Sequence, residues 1–275
     1  MIKRSISITP STTLLEARDV MLRHKLKKLV VLDGKQKPVG IITEKDLAKT
    51  VYTLADRPMK SVTVSGFMTK NLITVKKTAS IYDCAKLMRT NRISSIIVTN
   101  DDGTLAGLVT QTDLASVFLT QATSPLKVSK IMTRKVITAM PSDSLLYVES
   151  LLINNRISRV VIVRNRKPVG VITYRDFVPA KLPHWIAESA DPEEVKRFRM
   201  NPQTESRVHQ MSHLLQFRAL DIMTSKPITV DANEDVGVAV LLMIRNGISG
   251  LPVVRNSNLV GIITKADVVK AIAEQ

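Results

Sequence analysis

A chain of 275 residues with one cysteine, Cys84, can close no internal disulfide, so packing alone has to hold the fold. That cysteine usage fits a cytoplasmic location. Four histidines beside the one cysteine supply little material for a metal site. Aromatic residues make up only 4%, with one Trp, four Tyr and five Phe. Stacking platforms for nucleic-acid bases are therefore few, and the core has to come from Val, Ile, Leu, Met and Ala. No apolar run reaches about 18 residues, which argues against a membrane span. The opening MIKRSISITP lacks the apolar segment and cleavage site of a secretory signal. Catalytic signatures are missing too: there is no Gly-rich phosphate loop, nucleophile elbow or carboxylate pair, so the chain reads as a non-enzyme. Acidic residues are scarce, 24 against 40 basic ones, and the net charge of +16 is spread over both halves. A diffuse basic surface favours anionic partners such as nucleotides, nucleic acid or acidic protein faces.

What the chain does have is repetition. VGIITEKD (39–46), AGLVTQTD (106–113), VGVITYRD (169–176) and VGIITKAD (260–267) are one phrase written four times. Its glycines, Gly40, Gly107, Gly170 and Gly261, are spaced by 67, 63 and 91 residues. Upstream of each lies a second recurrent stretch: HKLKKLVVLD, NRISSIIVTN, NRISRVVIVR and NGISGLPVVR. A third lies further upstream, and in the last three copies it follows FMT, IMT and IMT. Each unit reads as a short β-branched strand, a polar turn, and a helix with apolar residues at helical spacing, such as Ile81, Ala85, Leu87 and Met88. An Asn or His stops that helix. Two strands joined by a hairpin follow, with Asp-Gly supplying positive φ in NDDGT, and a second helix starts at the phrase Thr. The order is β-α-β-β-α, an α/β (α+β) class, four times over.

The spacings pair copies one and two (1–60 and 61–122, together 1–122) and copies three and four (123–180 and 220–275, together 123–275). An insertion at 181–219 carries Trp185 and three of the four histidines and reads as a helical linker. Residues 51–63 and 119–128 read as connectors.

The T-x-x-D of each phrase has two physical readings. Thr at the N-cap with an acid three residues on is a capping box, and the carboxylate suits the positive end of the helix. A helix N-terminus behind a strand also receives phosphorylated ligands, and a carboxylate there can accept from both hydroxyls of a ribose. The bare sequence leaves both open for Thr43/Asp46, Thr110/Asp113, Thr173/Asp176 and Thr264/Asp267.

The GISGLPVV-type strand start, the VGIIT-x-x-D return and the IMT…ITV opening resemble the CBS domain family over nearly the whole chain outside the insertion. In that family two motifs pack about a pseudo-twofold axis into a Bateman module. A chain of two modules resembles the gamma subunit of AMP-activated protein kinase and its stand-alone archaeal relatives. The resemblance implies AMP, ADP or ATP bound in clefts between paired motifs, with the phrase Asp on the ribose and a basic residue just before the second strand on the phosphate. That basic position reads Lys28, Ser95, Arg159 and Gly250 in the four copies.

One well-equipped cleft thus has Lys28, Thr43 and Asp46 with Thr69, Thr74, Ile93 and Ser94 from the partner motif. The other has Arg159, Thr173 and Asp176 with Thr224, Thr229, Ile248 and Ser249. The Asp113 cleft lacks an MT opening in its partner. The Asp267 cleft keeps Thr133, Thr138, Ile157 and Ser158 but has Gly250 where the cation should be, with Lys27 and Arg156 as candidate substitutes. Arg grips phosphate with a planar fork where Lys is a point charge, so the module with Arg159 is expected to bind more tightly.

These readings make the chain an energy-sensing regulator of a separate enzyme or kinase, possible also as a homodimer. The alternative is a nucleic-acid-binding protein using its basic surface. His209 and His213 have metal-ligand spacing but no third ligand and read as linker histidines. Cys84 and the eleven methionines read as core, and NDDGT as a hairpin, not a cation loop.

Overall fold

The computed structural model describes residues 6–53, 59–121, 125–177 and 217–274. The first copy runs strand Ser7–Ile8, helix Leu14–Arg23, strands Lys28–Leu32 and Pro38–Thr43, helix Glu44–Thr53. The second repeats this as Thr74–Lys76, Ile81–Thr90, Ser95–Thr99, Leu105–Thr110 and Gln111–Gln121. The fourth does so as Val230–Asp231, Val236–Arg245, Gly250–Arg255, Asn258–Thr264 and Lys265–Ala273. The third has Thr138–Ala139, Leu145–Asn154, Arg159–Arg164 and Lys167–Thr173, and its phrase enters a 3₁₀ turn at Tyr174–Phe177. In every copy the first strand lies parallel to the second, and the second antiparallel to the third. Trp185, His209 and His213, with nearly all of the 181–219 insertion, lie outside the described residues.

Local chemistry sets the element ends. Thr13 with Glu16 and Ser80 with Asp83 form capping boxes, and Ser144 accepts from the Tyr147 N–H. The first helices of copies two, three and four stop when an Asn amide donates back to a carbonyl four residues earlier: Asn91 to Leu87, Asn155 to Leu151 and Asn246 to Leu242, at 2.8–2.9 Å. The next residue then turns left-handed, at Arg92 (φ 52), Arg156 (φ 53) and Gly247 (φ 65). His24 followed by Lys25 (φ 53) is the first copy's version. Gly103 (φ 82) turns the NDDGT hairpin.

Two expectations need correcting. Ile81 and Met140 are exposed (37% and 57%), because Ile81 opens its helix on the outer side and Met140 sits on a surface loop. The connectors are shorter than 51–63 and 119–128, since helices run through Thr53 and Gln121. Short helical turns at Val64–Gly66, Val128–Ile131 and Ala219–Ile222, before each MT opening, carry no periodic signal long enough to read.

Those openings explain the phrase glycine of copies one, three and four. The MT segment before copies two, three and four packs on the other copy of its module, not on its own. Thr69 bridges Ile41, Thr133 bridges Ile262, and Thr224 pairs with Val171. The preceding Met then lies over the partner's phrase strand. A Cβ on Gly170 would fall 2.8 Å from Met223 Cγ, one on Gly261 2.6 Å from Met132 Sδ, and one on Gly40 2.8 Å from Met68 Cγ. Only glycine leaves that seat open. Gly170→Ala is expected to destabilise by about 1–3 kcal/mol through overpacking. In urea titrations the double variant with Met223→Ala should lose less than the sum of the single losses.

The modules also face each other. One buried cluster joins Ala48 of the first copy to Leu145, Val160, Ile172 and Phe177 of the third. Others join Ala115 and Phe118 of the second copy to the fourth copy's core, and Cys84, Met88 and Leu114 to Val269 and Ala273. Within the first module, Val30, Leu32 and Ile97 close the sheet-to-sheet contact.

Candidate functional site

Each phrase strand delivers its Thr to the start of a helix or turn, and the Asp three residues on folds back over it. One carboxylate oxygen, Oδ2, accepts from both the Thr backbone N–H and the Thr hydroxyl in all four copies. The distances are 2.9 and 2.7 Å at Asp46, 2.8 and 2.6 Å at Asp113, 2.7 and 2.8 Å at Asp176, and 2.7 Å twice at Asp267. The capping role is therefore real, and Oδ2 is the oxygen that carries it. At Asp267 the other oxygen, Oδ1, accepts from the Thr133 hydroxyl at 3.3 Å, which places the MT opening of copy three at this carboxylate. Asp176 is buried at 8% exposure, and the other three are half-buried.

The basic residue of copies one and three stands directly opposite the phrase Thr: Lys28 pairs with Thr43 and Arg159 with Thr173 across the hairpin. Each reaches into the partner copy. Lys28 Nζ donates to Ser94 Oγ at 2.7 Å and Arg159 Nη2 to Ser249 Oγ at 2.8 Å. Neither cation has a carboxylate within ion-pair distance among the described residues. Arg159 Nε is buried with no hydrogen-bond partner. Burial, with Lys27 adding to it, holds the Lys28 ammonium down at about 8, while Glu44 and Asp113 oppose the shift. Burial likewise brings Arg159 down to about 10 against the pull of Asp267. An anion delivered to either side chain would relieve that penalty.

Thr69 and Thr224 lie on the strand edges beside the first and third phrases, and Thr133 beside the fourth. Thr74 and Thr138 lie in the opening strands of copies two and three, and Thr229 just before that of copy four. Ile93, Ile157 and Ile248 are half-buried at the positions after each left-handed helix stop. Ser94, Ser158 and Ser249 follow them, and Ser94 and Ser249 accept from the two cations. Thr110 caps Asp113, whose charge acts on both Lys28 and Lys265.

The sequence left several participants unread. The two variable phrase residues join the modules: Glu44 pairs with Arg175, the Lys45 ammonium lies 5.6 Å from the Tyr174 ring centroid, and Lys265 donates to Thr112 at 3.0 Å. Lys265 is buried at 5% exposure and brought down to about 8 by burial, then by Lys27 and Arg159. Lys27 lies 3.4 Å from Ser249 Oγ. Opposite charges at the variable positions of copies one and three were the one available signal. Arg156 is exposed, near enough to Lys45 for their charges to interact. No group of three His, Cys, Asp or Glu side chains that could hold a metal occurs among the described residues. No helix there is long and apolar enough to cross a membrane.

The repeated unit, the sheet pairing and the phrase geometry define a tandem CBS protein. The CBS domain profile matches residues 1–52, 64–120, 128–182 and 219–274, and the chain belongs to that family. It is similar to the uncharacterized protein MJ1225 of Methanocaldococcus jannaschii, 27% identical over 98% of this chain and 96% of that one. The crystal structure of MJ1225, described as a candidate archaeal homologue of g-AMPK, superposes with a TM-score of 0.83 over 98% of this chain and 97% of that one, at 25% identity. An uncharacterized conserved protein from Pyrococcus horikoshii shares the fold, with a TM-score of 0.62 over 98% of this chain and 96% of that one, at 19% identity.

Proposed function

We propose that this chain is a non-catalytic regulator that binds adenine nucleotides in the clefts between paired motifs and reports their occupancy to a separate protein. One observation carries the reading. Among the described residues, each module has a half-buried cation, Lys28 or Arg159, that donates to serine hydroxyls and meets no carboxylate, opposite a phrase whose carboxylate caps through Oδ2. A ribose for the carboxylate and a phosphate for the cation complete that pattern. The likeness to MJ1225 supports it. AMP, ADP and ATP all fit the requirement, and a bound nucleotide at about 100 times its Kd shifts the protein toward its occupied form by about 2.7 kcal/mol. That bias is large enough to alter docking on a regulated enzyme or kinase, or on a second copy.

Calorimetric titration of the whole chain with AMP, ADP, ATP, adenosine and the 2′- and 3′-deoxy analogues tests the reading. Adenylates should bind, and each deoxy analogue should bind at least about 10-fold more weakly, the equivalent of one lost charged hydrogen bond. Silence toward every purine mononucleotide at millimolar concentration overturns it.

A further inference from the structure

Gly250 stands where the phosphate cation of the fourth copy would be, and the structure shows what fills its place. A Cβ there would fall inside Nη1 of Arg159 and 2.9 Å from its Cζ. The same Cβ would lie 2.9 Å from Thr264 Cγ2, because Gly250 pairs with Thr264 across its hairpin. The guanidinium therefore starts on the strand opposite Thr173 and ends beside Thr264, at the cap of Asp267. Its Nη2 is held by Ser249, next to Gly250, and the Asp267 charge acts on it. Gly250 is a vacated position that admits the other copy's arginine.

Building on the adenylate reading above, we infer that Arg159 is the shared phosphate ligand of both clefts in the second module, so that phosphorylated nucleotides compete for one cation there. A phosphate in the Asp176 cleft and one in the Asp267 cleft draw on the same planar fork. Whichever arrives second finds the guanidinium engaged and a like charge nearby. An uncharged nucleoside escapes that competition, since its ribose contacts are separate in the two clefts. The first module is built on the same plan: Lys28 reaches Ser94, and position 95 carries a serine in place of a second cation.

The test uses full-length chains in which Asp46→Asn and Asp113→Asn silence the first module while keeping a capping acceptor. On that background, Asp176→Asn leaves only the Asp267 cleft, and Asp267→Asn leaves only the Asp176 cleft. Calorimetry with AMP and adenosine is run on each, with and without Arg159→Gln. Arg159→Gln should weaken AMP at least about 10-fold in both single-cleft chains, the value of a charged hydrogen bond, and leave adenosine within about 2-fold. Gly250→Ala, which crowds the guanidinium out, should weaken AMP mainly at the Asp267 cleft. With both clefts intact, the second AMP should bind at least about 10-fold more weakly than the first, while two adenosines bind alike. Arg159→Lys keeps the charge and the packing, and an intermediate effect in both clefts separates loss of the fork from misfolding. An Arg159 effect confined to one cleft, or two AMP molecules bound independently, overturns the sharing and leaves the adenylate reading standing. Failure of both AMP and adenosine to bind the unaltered chain overturns both.

Discussion

Asp46→Asn should lose adenylate affinity about 100-fold at its own cleft with little loss of stability, while Asp46→Ala loses both. The asymmetry follows from how the carboxylate divides its oxygens. Oδ2 accepts from the Thr43 N–H at 2.9 Å and its hydroxyl at 2.7 Å, and an asparagine oxygen can do the same. A charged acceptor for ribose cannot be replaced that way: hydrogen bonds to ionised groups contribute about 1.5–3 kcal/mol each, and a diol makes two. Alanine also removes the cap, at about 0.5–2 kcal/mol. Calorimetry reads the affinity and urea denaturation the stability. With the second module silenced by Asp176→Asn and Asp267→Asn, equal affinities with and without Asp46→Asn would reduce the aspartate to a capping device.

The second large effect lies where the modules meet. Glu44 and Arg175, at 17% and 25% side-chain exposure, form the ion pair between copies one and three. Arg175 also reaches the Leu26 carbonyl at 3.4 Å. Replacing one member of a fully buried pair costs about 3–5 kcal/mol; partial exposure here reduces that to about 2 kcal/mol for Arg175→Ala. Arg175→Glu sets two carboxylates together and should cost more, and adding Glu44→Arg should recover most of the loss. A double-mutant cycle by urea denaturation measures this, and a coupling energy indistinguishable from zero would show that apolar packing alone holds the modules together.

What could be read from the bare chain was what depends on residues close together in it. The T-x-x-D caps, the asparagine helix stops and the hairpin at Gly103 are local chemistry, legible from a few residues each. The repeat made the order of elements legible four times over. The phrase glycine was seen but not understood, because the methionine it accommodates comes from another copy and no local signal points to it. Gly250 reads from the chain only as a missing side chain, because the arginine that reaches into its place comes from the neighbouring copy. Glu44, Arg175, Lys265 and Thr112 bind the halves together from positions that differ between copies, so the repeat itself did not point to them.

The crossed-over openings have a consequence for how the second half assembles. Val128 and Met132, which precede copy three in the chain, complete the interior of copy four, and Ala219, which precedes copy four, completes that of copy three. Neither motif possesses a full interior of its own, so the smallest piece of this half able to fold alone is the pair. A backbone cut anywhere between residues 177 and 217 would leave two fragments, each holding a part of the other's interior, clasped together and not separated.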